Sequence, residues 1–361
     1  MFRTRVCDIL GIEYPIIQSP MNFPVTPQLV AAVSNAGGLG MVSSSMLVDK
    51  ELRVNGNPER LRDHTRAMIR EVRKLTSKPF GINLGIKGSQ DRMRQLWKGE
   101  PVELPIDAVT EVAIEEKVPI AYVSIGGPEL LTEKLHKAGM KVMHIGTSVR
   151  HARKAEEAGV DIFVCAGYEA GGHSPGKSET PLFVLLPQVA DAIRTPIVAG
   201  CGIADARGLV AAFALGAEGI AMGTRFLATS ESRLHPKAKQ AIVDADDTAT
   251  AAWGKKLGVG LARSLKNRFT QKYLDMELAG AGGRELMEFV EETYQDPTGR
   301  GLGRRASAYF NADLEWGEMY LGAVAGLIRE IKGAGEVVGD IVTQVDGVMG
   351  RLNTSPLSSR L

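Results

Sequence analysis

The sequence predicts an α/β protein built as a (β/α)8 TIM barrel, with a helical insertion after strand eight that covers the barrel mouth. Eight short apolar runs alternate with helical segments along the chain. The runs are almost continuously apolar, as expected of parallel strands that are buried on both faces. The first strand–helix turn has no GxGxxG pattern, which disfavours the competing doubly wound sheet.

The predicted strands all end in turn residues or in the start of a helical pattern. They span residues 15–21, 38–43, 79–84, 120–125, 141–145, 161–166, 196–200 and 219–223. The helix after the first strand has Thr26 as its N-cap and Pro27 at its first position. Later helices end in a glycine just before the next strand, which is typical of the loops in such barrels.

The alternation of strands and helices ends after strand eight. Residues 232–315 are predicted to form a helical region that covers the substrate. The amphipathic segment 316–331 is predicted to be the last barrel helix, so residues 1–231 and 316–350 would form the barrel. Residues 351–361 are predicted to be a frayed tail.

Composition and charge exclude several classes of function. The 43 basic and 42 acidic groups balance to a net charge of +1, so neither nucleic acid nor a membrane is expected as partner. Three distant cysteines without a CxxC motif fit a reducing, cytoplasmic location. No apolar run of membrane-spanning length occurs, and no metal-binding motif is present, so no metal site is expected.

Two glycine-containing turns after strands seven and eight predict a phosphate site. These turns are Cys201-Gly202 and Gly223-Thr224. Backbone N–H groups converge in such turns, and the loops after strands seven and eight are the usual phosphate site of this barrel. The competing interpretation is two tight turns without a ligand.

Three further strand ends carry candidate side chains. His173 follows a Gly-Gly pair after strand six, where a histidine can serve as acid or base near neutral pH. Asn83 ends strand three, and its amide can both donate to and accept from a flat heterocycle. The thioether of Met21 suits the face of such a ring, and Glu169 could orient the His173 loop. A satisfied turn residue is the alternative for each.

Several segments resemble the nitronate monooxygenase (2-nitropropane dioxygenase-like) family, which includes FMN-dependent enoyl-acyl-carrier-protein reductases. They are LVAAVSNAGGLGMV, FGIN, SVRHARKAEEAGVD, GYEAGGHSPG, LLPQVADA and ALGAEGIAMGTRFLATSES. The resemblance implies an FMN barrel with His173 as the catalytic histidine. It also implies a cofactor site made of Met21, Asn83, Ala170, Gly171, Cys201, Gly202, Gly223 and Thr224.

The resemblance implies an FMN-dependent oxidoreductase and leaves its reaction open. The enzyme would oxidise a nitronate or use NADH or NADPH to reduce a small organic acceptor. The alternative is an FMN-dependent enoyl-thioester reductase acting on an acyl-carrier-protein or coenzyme A substrate. A lesser alternative is a flavin-binding protein without catalysis, and a homo-oligomer is compatible with all three.

Overall fold

Eleven strands are present in the computed structural model, which describes residues 3–43, 58–85, 106–174, 178–257, 260–291 and 303–353. Eight of them form the barrel: β1 (Ile16–Gln18), β2 (Gly40–Ser43), β3 (Phe80–Gly85), β4 (Ile120–Ile125), β5 (Lys141–Gly146), β6 (Ile162–Cys165), β8 (Ile197–Gly200) and β9 (Gly219–Met222). The remaining three are β7 (Gly172–His173), β10 (Thr250–Trp253) and β11 (Ala262–Leu265).

The barrel strands are all parallel and follow the order β1-β9-β8-β6-β5-β4-β3-β2. A parallel bridge between Ile17 and Leu39 joins the two ends of the sheet, so the barrel is nearly closed. Strands β2, β6, β8 and β9 are buried along their whole length, which explains their continuous apolar sequences. The predicted TIM barrel is confirmed.

Nine helices surround or flank these strands. They are α1 (Arg5–Leu10), α2 (Pro27–Asn35), α3 (Pro58–Leu75), α4 (Ile106–Glu115), α5 (Thr132–Lys137), α6 (Val149–Glu157), α7 (Leu182–Ala190), α8 (Ala206–Ala214) and α14 (Ala334–Asn353) among the described residues. The Thr26 side chain accepts a hydrogen bond from Leu29 N at 3.0 Å, so the predicted N-cap of α2 is present.

The segment after the barrel contains both helices and strands. Its helices are α9 (Thr224–Leu227), α10 (Pro236–Val243), α11 (Arg268–Leu278), α12 (Gly283–Glu291) and α13 (Arg304–Phe310). Strands β10 and β11 pair antiparallel, and β11 also pairs with β7 in the loop after β6. The sequence predicted helices here and missed this hairpin, which docks the insertion onto a loop at the C-terminal end of the barrel.

The prediction of a barrel helix over residues 316–331 is wrong. This segment contains only a short 3-10 helix, Ala323–Leu327, and the helix that packs against α2 and α8 is α14. Glycines 317, 322 and 326 interrupt the segment, and each lies against backbone atoms of other segments, where a side chain would collide. The helix α14 includes residues 351–353 of the predicted tail, and residues 354–361 lie outside the described part.

Candidate active site

The loop after β6 carries His173 from the C-terminal end of the barrel towards the insertion. Gly172 and His173 form β7 and pair with Arg263 and Ala262 of β11. Active sites of TIM barrels form on the loops that follow the strands. The insertion therefore fixes the backbone of the predicted catalytic residue by regular sheet pairing.

The His173 ring lies between two aromatic side chains. Its Nδ1 atom is 2.6 Å from Tyr320 Oη, and the two rings meet edge to face with centroids 5.4 Å apart. The ring of Trp253 lies 6.4 Å away and is itself buried. A methyl group at Gly172 would come within 3.1 Å of the Tyr320 ring, so glycine permits this approach.

An ion pair between Arg305 and Glu318 lies beside Tyr320. Arg305 Nη2 donates to Tyr320 Oη, and the guanidinium stands 4.1 Å from the centre of the Tyr320 ring. The same Nη2 atom lies 3.1 Å from both carboxylate oxygens of buried Glu318. Burial by itself would lower the pKa of Arg305, but the Glu318 carboxylate outweighs it and raises that pKa.

These surroundings keep His173 neutral at pH 7. The protein packed around the ring lowers the pKa of His173 to about 4, and the Arg305 cation acts in the same direction. The residue as a whole nevertheless remains exposed to solvent. Burial raises the pKa of Tyr320 well above its ordinary value, so the phenol keeps its proton.

The turn after β8 lies against the start of the His173 loop. Gly167 N donates to Cys201 Sγ at 3.1 Å. A methyl group at Gly202 would make only ordinary contacts, with its nearest neighbour, Glu169, 3.7 Å away. Glu169 accepts from Leu182 N at 2.9 and 3.0 Å, so it ties the loop to the start of α7 as predicted.

The turn after β9 meets the loop before α14. Gly322 N donates to Thr224 Oγ1 at 2.9 Å, and a methyl group at Gly171 would lie 2.5 Å from Gly322 N. On the other side, the Met21 sulfur would be 3.6 Å from a methyl group at Gly223. The structure thus brings Gly171, Gly223, Thr224 and Met21 to one region of the rim.

Two polar atoms at neighbouring strand ends have no partner among the described residues. They are Ser43 Oγ at the end of β2 and Asn83 Oδ1 on β3, and both are buried. The two residues are paired in register across the two strands. Buried polar atoms are nearly always hydrogen-bonded. Their lack of a partner fits a polar ligand at this rim, and Asn83 is the residue for which the sequence predicted this contact.

The predicted residues fall into three groups by their contacts. His173 contacts the insertion, Cys201 and Gly202 contact the 167–169 loop, and Gly171, Thr224 and Gly223 meet near Gly322 and Met21. No hydrogen bond joins Asn83 or Ala170 directly to His173 among the described residues.

Sequence reasoning missed the side chains that hold His173. They are Tyr320 and Trp253, which contact its ring, and the Arg305–Glu318 ion pair, whose arginine contacts Tyr320. These partners lie some 80 to 150 residues from His173, and no local motif marks them.

Comparison with known proteins places the chain in a family. A family model described as Nitronate monooxygenase matches residues 3–344. A probable nitronate monooxygenase of Staphylococcus aureus (strain JH9) is 34% identical over an alignment that covers 76% of this chain and 81% of the relative. Within the described residues no helix has the length and apolarity needed to cross a membrane.

Two solved structures resemble the whole chain. FabK from Thermotoga maritima is 36% identical, with a TM-score of 0.81 and coverage of 98% of this chain and 99% of that one. Nitroalkane oxidase from Streptomyces ansochromogenes is 26% identical, with a TM-score of 0.75 and coverage of 97% and 100%.

Proposed function

Because the chain belongs to the nitronate monooxygenase family and is an oxidoreductase, we propose that it binds FMN at the C-terminal end of the barrel and uses His173 in catalysis. The family is one of flavin enzymes, and FMN is the flavin proposed here. The observation that carries the proposal is the unpartnered, buried amide oxygen of Asn83 beside Ser43 at the strand ends.

The residues at the rim fit FMN by their chemistry. Asn83 would bond the polar edge of the flavin ring, and Met21, Ala170 and Gly171 would lie along it. The turns at Cys201-Gly202 and Gly223-Thr224 would hold the phosphate through backbone N–H groups. When bound, FMN would supply the electron or hydride transfer, which no side chain here can provide.

His173 would donate a hydrogen bond or proton to the substrate, or accept one from it. Its neutral ring can donate or accept a hydrogen bond through Nε2, the nitrogen that is not engaged by Tyr320. The proposed substrates are a nitronate, or a small organic acceptor reduced at the expense of NADH or NADPH. The enoyl-thioester alternative is supported by the 36% identity with FabK over nearly the whole of both chains.

Cofactor binding is tested first by titrating FMN into the cofactor-free protein and following the quenching of flavin fluorescence. Asn83→Leu should weaken FMN binding about tenfold, the value of one hydrogen bond of about 1.4 kcal/mol. Gln188→Leu makes the same change at an exposed amide and should leave binding unchanged. Absence of FMN binding by the wild type would contradict the proposal.

The reaction is tested by anaerobic reduction of the FMN-loaded protein, followed at the flavin absorbance band. NADH, NADPH and an alkyl nitronate are supplied separately, and an enoyl thioester is then added to any sample reduced by a nicotinamide. Reoxidation by the thioester would favour the reductase alternative, and bleaching by the nitronate alone would favour nitronate oxidation. His173→Ala should keep FMN and lose most turnover. Unchanged turnover would show that the catalytic assignment is wrong.

A further inference from the structure

We propose that Tyr320 fixes His173 in the neutral form that carries its proton on Nε2, so that His173 meets the substrate as a hydrogen-bond donor. This inference rests on the proposed function for the place of the substrate. It adds a positioning residue, Tyr320, and a specific protonation state for the catalytic one. It also names the feature that a substrate must offer to His173, an oxygen that accepts a hydrogen bond.

The contacts of Tyr320 Oη determine where its proton goes. Arginine has only donors, so Arg305 Nη2 must donate and Oη must accept in that contact. The phenol has one proton of its own, and His173 Nδ1 lies 2.6 Å from the oxygen. If the phenol proton goes to Nδ1, that nitrogen is an acceptor and carries no proton. In a neutral imidazole the proton is then on Nε2.

Glu318 is the rival acceptor for the phenol proton. Its carboxylate interacts with Tyr320 and contributes to raising the Tyr320 pKa. Both of its oxygens, however, already accept from Arg305 Nη2 at 3.1 Å. The distance from Oη to His173 Nδ1 is that of a strong hydrogen bond. Among the described residues, the close hydrogen bonds that Tyr320 Oη makes are those with Arg305 Nη2 and His173 Nδ1, so we assign the phenol proton to the histidine.

Strand β11 holds the backbones of both His173 and Tyr320, and so holds the contact between their rings. The His173 backbone is fixed by pairing with Ala262, and a bridge joins Tyr320 to Ser264 on the same strand, β11. A methyl group at Gly172 would lie 3.1 Å from the Tyr320 ring, so the glycine permits the close approach of the ring. A catalytic group whose supports are this rigid retains one orientation, which is the condition for efficient proton donation.

The other ring nitrogen of His173, Nε2, is the one that can meet the substrate. Nε2 has no hydrogen-bond partner among the described residues, and His173 is exposed. An N–H group in this position can donate to the carbonyl oxygen of an acyl thioester or quinone, or to a nitronate oxygen. It cannot act as the base that removes a proton from carbon, because the free lone pair of the ring faces Tyr320 instead.

The test is nitrogen NMR of the protein with ¹⁵N-labelled histidine rings, without cofactor and again after FMN loading. The His173 signals are identified as those missing from the spectrum of His173→Gln. At pH 7.5 we expect the wild type to show an unprotonated, hydrogen-bonded Nδ1 and a protonated Nε2. A protonated Nδ1 in the wild type would overturn the proposal, since the phenol would then be donating to Glu318.

The matched variant is Tyr320→Phe, which keeps the ring and removes the hydroxyl. We expect its His173 Nδ1 resonance to lose the hydrogen-bond shift, and the two nitrogen resonances to draw together as the tautomers exchange. Tyr273→Phe removes a hydroxyl from another buried tyrosine, which contacts Trp253 and not His173, and should leave these signals in place. Signals in Tyr320→Phe identical to those of the wild type would also overturn the proposal.

The loaded enzyme gives an independent readout. Tyr320→Phe should lower kcat about tenfold with little change in FMN affinity, because proton donation loses its fixed orientation. An unchanged kcat would contradict a positioning role. Since the tautomer is read in protein without cofactor, a failure to bind FMN would refute the proposed function and leave the tautomer measurement intact.

Discussion

Cys201 occupies a backbone conformation that suits glycine. Its φ is +140°, a value that L-residues rarely adopt and that costs of order 1–3 kcal/mol when a side chain is present. Its thiol is packed against the 167–169 loop, where it accepts from Gly167 N, and burial raises its pKa well above the ordinary value. The residue is therefore an inert, strained part of the proposed phosphate turn.

At position 201 the glycine variant should be more stable than the alanine variant, which is the reverse of the usual order of stability. Cys201→Ala loses the sulfur contacts and keeps the strain, whereas Cys201→Gly loses the same contacts and relieves it. After the entropic cost of glycine, we expect the glycine variant to be the more stable by about 1 kcal/mol. Urea unfolding of both variants measures this difference. An alanine variant more stable than the glycine variant would show that the turn is not strained.

His173 has a pKa lowered to about 4, and this predicts how its signals and its stability contribution change with pH. The unfolded chain takes up a proton near the ordinary value of about 6.5, before the folded protein does. Above that pH both states are neutral. As pH falls from about 6.5 towards 4, the wild type should lose stability relative to His173→Gln. The ring resonances should stay constant between pH 5.5 and 8, and a titration midpoint near 6.5 would contradict the assigned surroundings.

Asp161 links three elements of the barrel, namely β6, β5 and α5. It stands just before β6 and accepts from Val142 N of β5 at 2.8 Å, and it pairs with Lys141 of β5 and His136 of α5. Partial burial by itself would raise the pKa of Asp161. The hydrogen bonds from Val142, His136 and Lys141 outweigh burial and lower it.

Asp161→Asn should destabilise the protein by about 1–3 kcal/mol at pH 7, since Lys141, His136 and a backbone donor lose the carboxylate. A lowered pKa contributes stability above the unfolded value of about 3.9, and this is lost as pH falls through the folded value. The difference between wild type and variant should therefore shrink below about pH 4. Unfolding in urea at pH 7, 5 and 3 measures it, and Asp191→Asn at an exposed site provides the comparison. An equal difference at pH 3 would contradict the electrostatic explanation.

At the scale of the whole molecule, segments far apart in sequence meet through glycines at the barrel rim. Gly171 and Gly322 are in backbone contact, and Thr224 accepts from Gly322 N. The sheet of β7, β10 and β11 adds a second connection between barrel loop and insertion. The proposed active site thus depends on how the insertion docks, and not on the barrel alone.

Gly171→Ala tests this docking. The added methyl group would lie 2.5 Å from Gly322 N and 2.6 Å from Leu321 C, so the backbone must shift. We expect a loss of about 1–3 kcal/mol in unfolding free energy and weaker FMN binding. Hydrogen exchange of the 320–323 amides should also rise. Gly282→Ala adds a methyl group in open space and should be close to neutral. Equal behaviour of the two variants would show that the rim contact does not support the site.

The strands and the identity of the rim residues were predictable, because their signals are local. Continuous apolar runs mark β2, β6, β8 and β9, and the Thr26-Pro27 pair marks the start of α2. The same reasoning gave a wrong prediction, a long helix, for the segment 316–331. Its apolar spacing resembles a helix, but its side chains are buried by several different partners and its glycines lie against backbone atoms.

The sequence by itself determined the barrel, the family, and the residue types that stand at each strand end, because periodicity and turn chemistry are properties of neighbouring residues. Only the tertiary structure decided that Tyr320, Arg305 and Glu318 surround His173, and that a hairpin from the insertion fixes its backbone. The physical reason is that contacts between segments about 90 to 150 residues apart, such as His173 with Ala262 and with Tyr320, depend on docking geometry. No local pattern encodes that geometry, and the protonation state of the proposed catalytic histidine follows from it.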